Sequence, residues 1–189
     1  SNVRGTGLFE VLGVWAAQGG HARPFRLLVL LALLTDGLSA MLDNVTTVLL
    51  MAPVTLAITK RLELNPIIFL VTEALASNIG GTATLVGDPP NIMIASKAEM
   101  GYLDFLMVLG PISLLIMAVF VAALGLIYGR NMTVAPHLRT AVLALNSREA
   151  VPDRPFMNRC LWLLGVVNAG FCLHSLIHLE PDTIALLGA

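Results

Sequence analysis

The sequence predicts an all-α integral membrane protein. Of its 189 residues, 57% are hydrophobic and 12% are charged. Soluble domains carry about 25% charged residues, so this chain has about half the usual share. Mean hydropathy is +0.84, and the apolar residues come in long runs. Inside those runs the polar residues are mostly small and are gathered with glycine and proline, above all in E-A-L-A-S-N-I-G-G-T-A-T-L-V-G-D-P-P-N at 73–91. Glycine and proline pairs break helices. In a bilayer every backbone N–H and C=O needs a partner, so a break at membrane depth must face protein or a water-filled cavity. The break is expected at 77–84.

Residues 7–18 are apolar but too short to span, which suggests the tail of a preceding helix or an interfacial helix. Gly19, Gly20 and Pro24 interrupt it, and His21, Arg23 and Arg26 form a basic loop. Residues 27–59 are apolar again, with charge only at Asp36 and Asp43. Two complete spans need about 40 residues, and this stretch has 33 including a turn. A re-entrant helical hairpin with its tip at residues 42–47 fits better, with two complete helices as the alternative. Asp43 or Asn44 is placed to cap the second arm.

Residues 64–97 read as one broken helix, with 64–79 as the first half and 91–96 in the second. Asp88 is placed as N-cap, with Pro89 at the first helical position. A return span follows at 105–128, bent at Pro111. Residues 130–159 are polar, 160–179 form a further span, and 183–189 begin another. The chain starts at Ser1 and ends inside an apolar run, so a fragment of a longer protein is expected. Arg23/Arg26, Lys60/Arg61 and the arginines of 130–159 all fall on one side, which basic loops mark as cytoplasmic. The sequons at Asn44 and Asn131 then lie in the membrane and the cytoplasm and stay unglycosylated.

Asp36, Asp43, Glu73 and Asp88 lie in apolar stretches. Each such carboxylate costs about 2.5–3.5 kcal/mol on insertion scales, so it faces a cavity or partner and marks an ion path. Capping alone also accounts for Asp43 and Asp88, a buried hydrogen bond for Asp36, and a place near the membrane surface for Glu73. Glu73 and Ser77, four apart, share a helix face. Two polar clusters resemble each other: Asp43, Asn44, Thr46 and Thr47 at the hairpin tip, and Ser77, Asn78, Gly80, Gly81, Thr82 and Thr84 in the break, followed by Asp88 and Asn91. Amides, hydroxyls and unwound carbonyls suit a hard cation such as sodium. Helix N-termini beside the same gap favour an anion. One cleft is thus expected to hold a small ion or polar substrate.

Other chemistry is poorly served. Net charge is −1, which offers nucleic acid no basic face. Cys160 and Cys172 lack metal spacing and read as packing residues. His174 and His178 share a face but have no further ligands near them in sequence. An intramembrane aspartyl protease would need Gly where Leu85 stands. No enzyme activity and no cofactor beyond a coupling ion is expected.

S-A-M-L-D-N-V-T-T-V-L-L-M-A-P-V followed by S-N-I-G-G-T-A-T-L-V-G-D-P-P-N-I-M-I resembles the ion-transporter superfamily. The likeness is closest to the branch of arsenite permeases, sodium/proton antiporters and the melanosomal P protein, with a citrate-transporter-like domain. It covers nearly the whole chain, including H-S-L-I-H-L-E-P-D-T-I-A-L-L-G-A at its end. The resemblance implies two inverted repeats, each with a re-entrant hairpin and a broken helix. Residues 1–129 would be the first repeat, 130–159 a cytoplasmic connection and 160–189 the start of the second. Family members that carry divalent anions with sodium place Ser-Asn-Thr at tip and break. Here these become Asp43-Asn44-Val45-Thr46 and Ser77-Asn78-Ile79, so the asparagines carry over and the following threonine does not. That departure weakens the case for dicarboxylates, and an aspartate at the tip favours proton coupling.

The resemblance further implies elevator-like secondary transport of a small ion or anion, either arsenite-type efflux or Na+/H+-coupled, by a homodimer in a bacterial inner membrane. An uncoupled anion channel, or a non-transporting protein of the same fold, is the competing expectation.

Overall fold

The computed structural model describes residues 19–20, 23–129, 132–143 and 162, and every regular element among them is an α-helix. Pro24 opens α1 (Pro24–Ser39), where its missing N–H is no loss. After the tip at 40–43, α2 (Asn44–Arg61) starts where Asp43 Oδ1 accepts from Thr46 N at 2.8 Å. In α3 (Pro66–Gly81), Asn65 Oδ1 accepts from Ile67 N at 3.0 Å and Pro66 fills the first turn. Next come α4 (Pro89–Ala98) and α5 (Tyr102–Tyr128), whose Asp104 Oδ2 accepts from Gly101 N at 3.2 Å. A short α6 (Pro136–Leu143) follows, a helix inside the segment expected to be merely polar.

Cross-contacts fix the directions. Ala32 packs with Ala76, and four residues later Asp36 lies against Gly80, so α1 and α3 run the same way. Asn44 meets Asn78 and Thr55 meets Glu73, so α2 runs against α3. Ser113 bonds Ile79 and Leu124 packs with Leu27, so α5 also runs against α3. The tip at 40–43 and the turn after α3 therefore lie at one end. Arg23, Arg26 and the Lys60–Arg61 end of α2 lie at the other.

Leu27, Leu28 and Leu31 of α1 form one core with Met51, Val54 and Ile58 of α2, Phe69 of α3 and Leu124 of α5. Toward the tip the contacts turn small: Ala32, Ala76 and Gly80. Small residues let backbones approach, which is how helices associate in lipid, where apolar burial between helices gives little drive. Ser39 Oγ adds a bond to Ser77 O at 2.7 Å. Ser39→Ala is expected to cost about 1 kcal/mol, read as a small fall in the thermal midpoint of the purified protein.

The break expected at 77–84 lies later. Helix α3 continues through Ser77, Asn78, Gly80 and Gly81, and the non-helical stretch is 82–88. The two glycines serve close approach: Cβ atoms there would strike the Asp36 and Gly87 backbones. Asp88 holds the N-cap position of α4, but its side chain makes no capping bond. Among the described residues only α5, with 27 residues, is long and apolar enough to cross a bilayer, and just 17% of its most apolar window is buried within the chain. Pro111 lies inside α5 without ending it. The expected segments at 7–18, 160–179 and 183–189, with Cys160, Cys172, His174 and His178, lie outside the described residues.

Candidate functional site

The hairpin tip and the helix break are stitched together by hydrogen bonds to the backbone, one backbone to backbone and the others between side chain and backbone. Asn44 N donates to Gly87 O at 3.2 Å. Thr84 Oγ1 donates to Ala40 O at 2.6 Å and accepts from Gly87 N at 3.1 Å. The buried Asn91 donates through Nδ2 to Gly81 O at 2.8 Å and Thr84 O at 2.7 Å. Gly81 and Gly87 touch backbone to backbone: a Cβ on Gly87 would lie 2.7 Å from the Gly81 Cα. The 82–88 turn is thus folded back onto the end of α3 and locked there.

The carbonyls expected to be freed for ion binding are mostly occupied. Ser77 O accepts from Ser39 Oγ, Ile79 O from Thr82 Oγ1 and Ser113 Oγ, and Gly81 O and Thr84 O from Asn91. Buried backbone polar groups are nearly always paired, and small side chains of neighbouring elements do the pairing here.

The asparagines come together. Asn44 Nδ2 donates to Asn78 Oδ1 at 3.0 Å, which leaves Asn44 Oδ1 as an acceptor and Asn78 Nδ2 as a donor. They open on a shallow groove of about 260 Å³ lined by Asn44, Val45, Val48, Leu49, Ala74, Ser77 and Asn78. Two amides on walls that are apolar apart from Ser77 offer both an oxygen for a cation and an N–H for an anion.

The remaining candidates divide between framework and surface. Asp43 caps α2 through its side chain. Thr46 is exposed. Thr47 is fully buried, with no partner for its hydroxyl among the described residues. Ser77 Oγ and Thr82 Oγ1 donate to carbonyls three residues back in their own chain. Gly80, Gly81 and Asn91 shape the backbone. Asp88 stands half-buried at the start of α4. The sequence marks Glu73 as an apolar-run carboxylate on an ion path but does not place it in either polar cluster, and it does not single out Ser39 or Thr55. Nothing marked Thr55 as the partner of Glu73.

The profile of the citrate transporter family matches residues 1–189. The chain belongs to this family. It is 47% identical over 189 residues to an uncharacterized transporter of Mycobacterium tuberculosis (strain ATCC 25618 / H37Rv), covering 100% of this chain and 44% of that protein. A 46 kDa membrane protein of Mycobacterium leprae (strain TN) is 45% identical over 189 residues, with the same coverage. The P protein of Homo sapiens is 43% identical over 95 residues, which is 50% of this chain and 11% of that one. The chain spans about half the length of the mycobacterial relatives. Family and relatives bear out the resemblance to the ion-transporter superfamily and make this an integral membrane protein of a transport family.

Proposed function

We propose that this chain supplies one repeat of a secondary active transporter for a small ion or anion, in which hairpin tip and helix break share one site. The observation that carries this reading is the Asn44–Asn78 hydrogen bond and its level along α5. Ile79, next to Asn78, accepts from Ser113, which lies 11 residues into the 27-residue α5. At about 1.5 Å per residue, that is about 16 Å along a helix of about 40 Å. That level on α5 supports a position near mid-depth, where substrate sites of such transporters are built. Helices α1 and α2 rise about 24 and 27 Å, short of a hydrocarbon core of about 30 Å. Short arms that return to the end they started from support a re-entrant hairpin.

The rest of the reading follows from the resemblance: an inverted second repeat completing the site, elevator-like movement, a homodimer, Na+ or H+ as coupling ion, and basic loops facing the cytoplasm. Arg23, Arg26 and the end of α2 at one pole of the bundle support that sidedness. The family's description brings citrate into consideration beside arsenite and sodium.

Uptake by the complete transporter in liposomes, with each candidate under imposed sodium or proton gradients, tests it. Gradient-dependent uptake is expected for one of them. Gradient-independent current would instead show a channel. Asn44→Ala and Asn78→Ala should each raise the half-saturating ion concentration while folded protein still accumulates. Their effects should not add, because each removes the same contact. If the asparagines only hold helix ends, each substitution costs about 0.5–2 kcal/mol of stability and ion affinity stays unchanged.

A further inference from the structure

Glu73 is 1% exposed and sits in the seam between α2 and α3. Its Oε1 accepts from Thr55 Oγ1 at 2.6 Å, and Thr55 is itself fully buried. Its Oε2 is buried without any partner among the described residues. Among the described residues nothing nearby supplies positive charge. Glu73 is the sole charged residue of α3, and on α2 the first cations after Thr55 are Lys60 and Arg61, both exposed at its end. From α1 the charged groups are Arg26 and Asp36, the latter half-buried against Gly80, two turns along α3. Helix α5 has no charged residue between Asp104 and its end at Tyr128, and α6 brings an exposed His137.

An ionised carboxylate buried with one neutral hydrogen bond and no cation is strongly disfavoured, whereas the neutral acid is tolerated. A proton on Oε2 removes the charge and keeps the Thr55 bond. Glu73 also lies one turn before Ser77 and Asn78, which line the groove. The same two helices, α2 and α3, carry both the Thr55–Glu73 and the Asn44–Asn78 contacts.

We propose that Glu73 is a proton-binding site inside the α2–α3 seam, and that its proton is the coupling ion for the groove beside it. When the proton leaves, the bare carboxylate draws water or a cation into the seam. Helices α2 and α3 then part, and the Asn44–Asn78 pair opens. By linkage, whatever closes that pair raises the affinity of Glu73 for its proton. The proton site stands on the geometry of the seam; its coupling to transport rests on the transport reading above.

Infrared difference spectroscopy of the full-length protein across a pH titration reads the proton directly. A protonated-carboxyl carbonyl band should persist at neutral pH, vanish in Glu73→Gln and move to higher frequency in Thr55→Val, which removes the hydrogen bond but keeps the acid. Should Glu73→Gln fail to fold, the Thr55→Val shift makes the assignment alone. Absence of the band in folded wild type at neutral pH, or a band unchanged by both substitutions, overturns the proposal. In liposomes loaded with citrate or arsenite, Glu73→Gln should keep substrate exchange and lose acceleration by a pH gradient. Undiminished acceleration overturns the coupling. A wild type that shows the band but moves neither substrate under any gradient supports the proton site and sinks the transport reading.

Discussion

Alanine at Gly80 is expected to keep the hairpin from docking. A Cβ at this position would lie 2.7 Å from the Asp36 carbonyl carbon and 2.9 Å from its Cα, and nearer still to the carbonyl oxygen. All three atoms are main chain, so no rotamer change relieves the contact. Helices α1 and α3 would have to separate, which loosens the Ser39–Ser77 and Thr84–Ala40 bonds as well. Overpacking of this kind costs about 3 kcal/mol where the surroundings cannot yield. Gly37 is the control. It lies in the same α1, exposed, with nothing within 4 Å of an added Cβ. Gly37→Ala should be neutral or gain about 0.5–1 kcal/mol from helix propensity. Scanning fluorimetry of the two purified proteins compares them directly. A Gly80→Ala protein that melts with wild type would mean that α1 and α3 do not cross this closely.

Asn91→Ala is expected to have the next largest effect, and to show what kind of residue Asn91 is. Its amide donates to two carbonyls, Gly81 O and Thr84 O, and the side chain is buried. Alanine leaves both acceptors buried with a partner lost. At about 1 kcal/mol per carbonyl, the low end for an unsatisfied group because each carbonyl keeps a second lone pair, a loss of about 2 kcal/mol follows. Asn91→Asp should be worse, since an ionised oxygen would face two carbonyl oxygens. In either variant the ion dependence of whatever protein folds should match wild type, because the amide is committed to holding the turn closed. Unaltered stability together with a shifted ion dependence would instead make Asn91 a ligand.

The helical class and the presence of a tip and a break were legible because composition and Gly/Pro punctuation act locally. Asp43 as the cap of α2 was legible for the same reason: an acid just before a helix start has free N–H groups at hand, and Thr46 N is the one it takes. Asn44 and Asn78 could be brought to one cleft only through the likeness of their two clusters and the family resemblance, because nothing local links residues 34 apart. The position of the break was misread because glycine pairs have two uses. Gly80 and Gly81 remain helical, since the loss in propensity, about 1 kcal/mol each, is outweighed by the close approach that bare Cα atoms allow to Asp36 and Gly87.

The sequence alone thus determined that the chain is helical and membrane-embedded, that it interrupts its helices with small polar residues, and that it carries carboxylates in apolar runs. Those properties are set by each residue's own cost in lipid or in a helix. Only the tertiary structure decided which polar groups remain for an ion. Most freed carbonyls are taken by Ser39, Thr82, Thr84, Asn91 and Ser113, and the groove keeps the two asparagine amides. It also decided that Glu73, read as a surface charge or an ion-path residue, lies sealed between α2 and α3 with one oxygen unpaired. Whether a polar group is spent or available depends on what another helix places within about 3 Å of it. That distance is fixed by the packing of α1, α2, α3 and α5, and no stretch of sequence contains it.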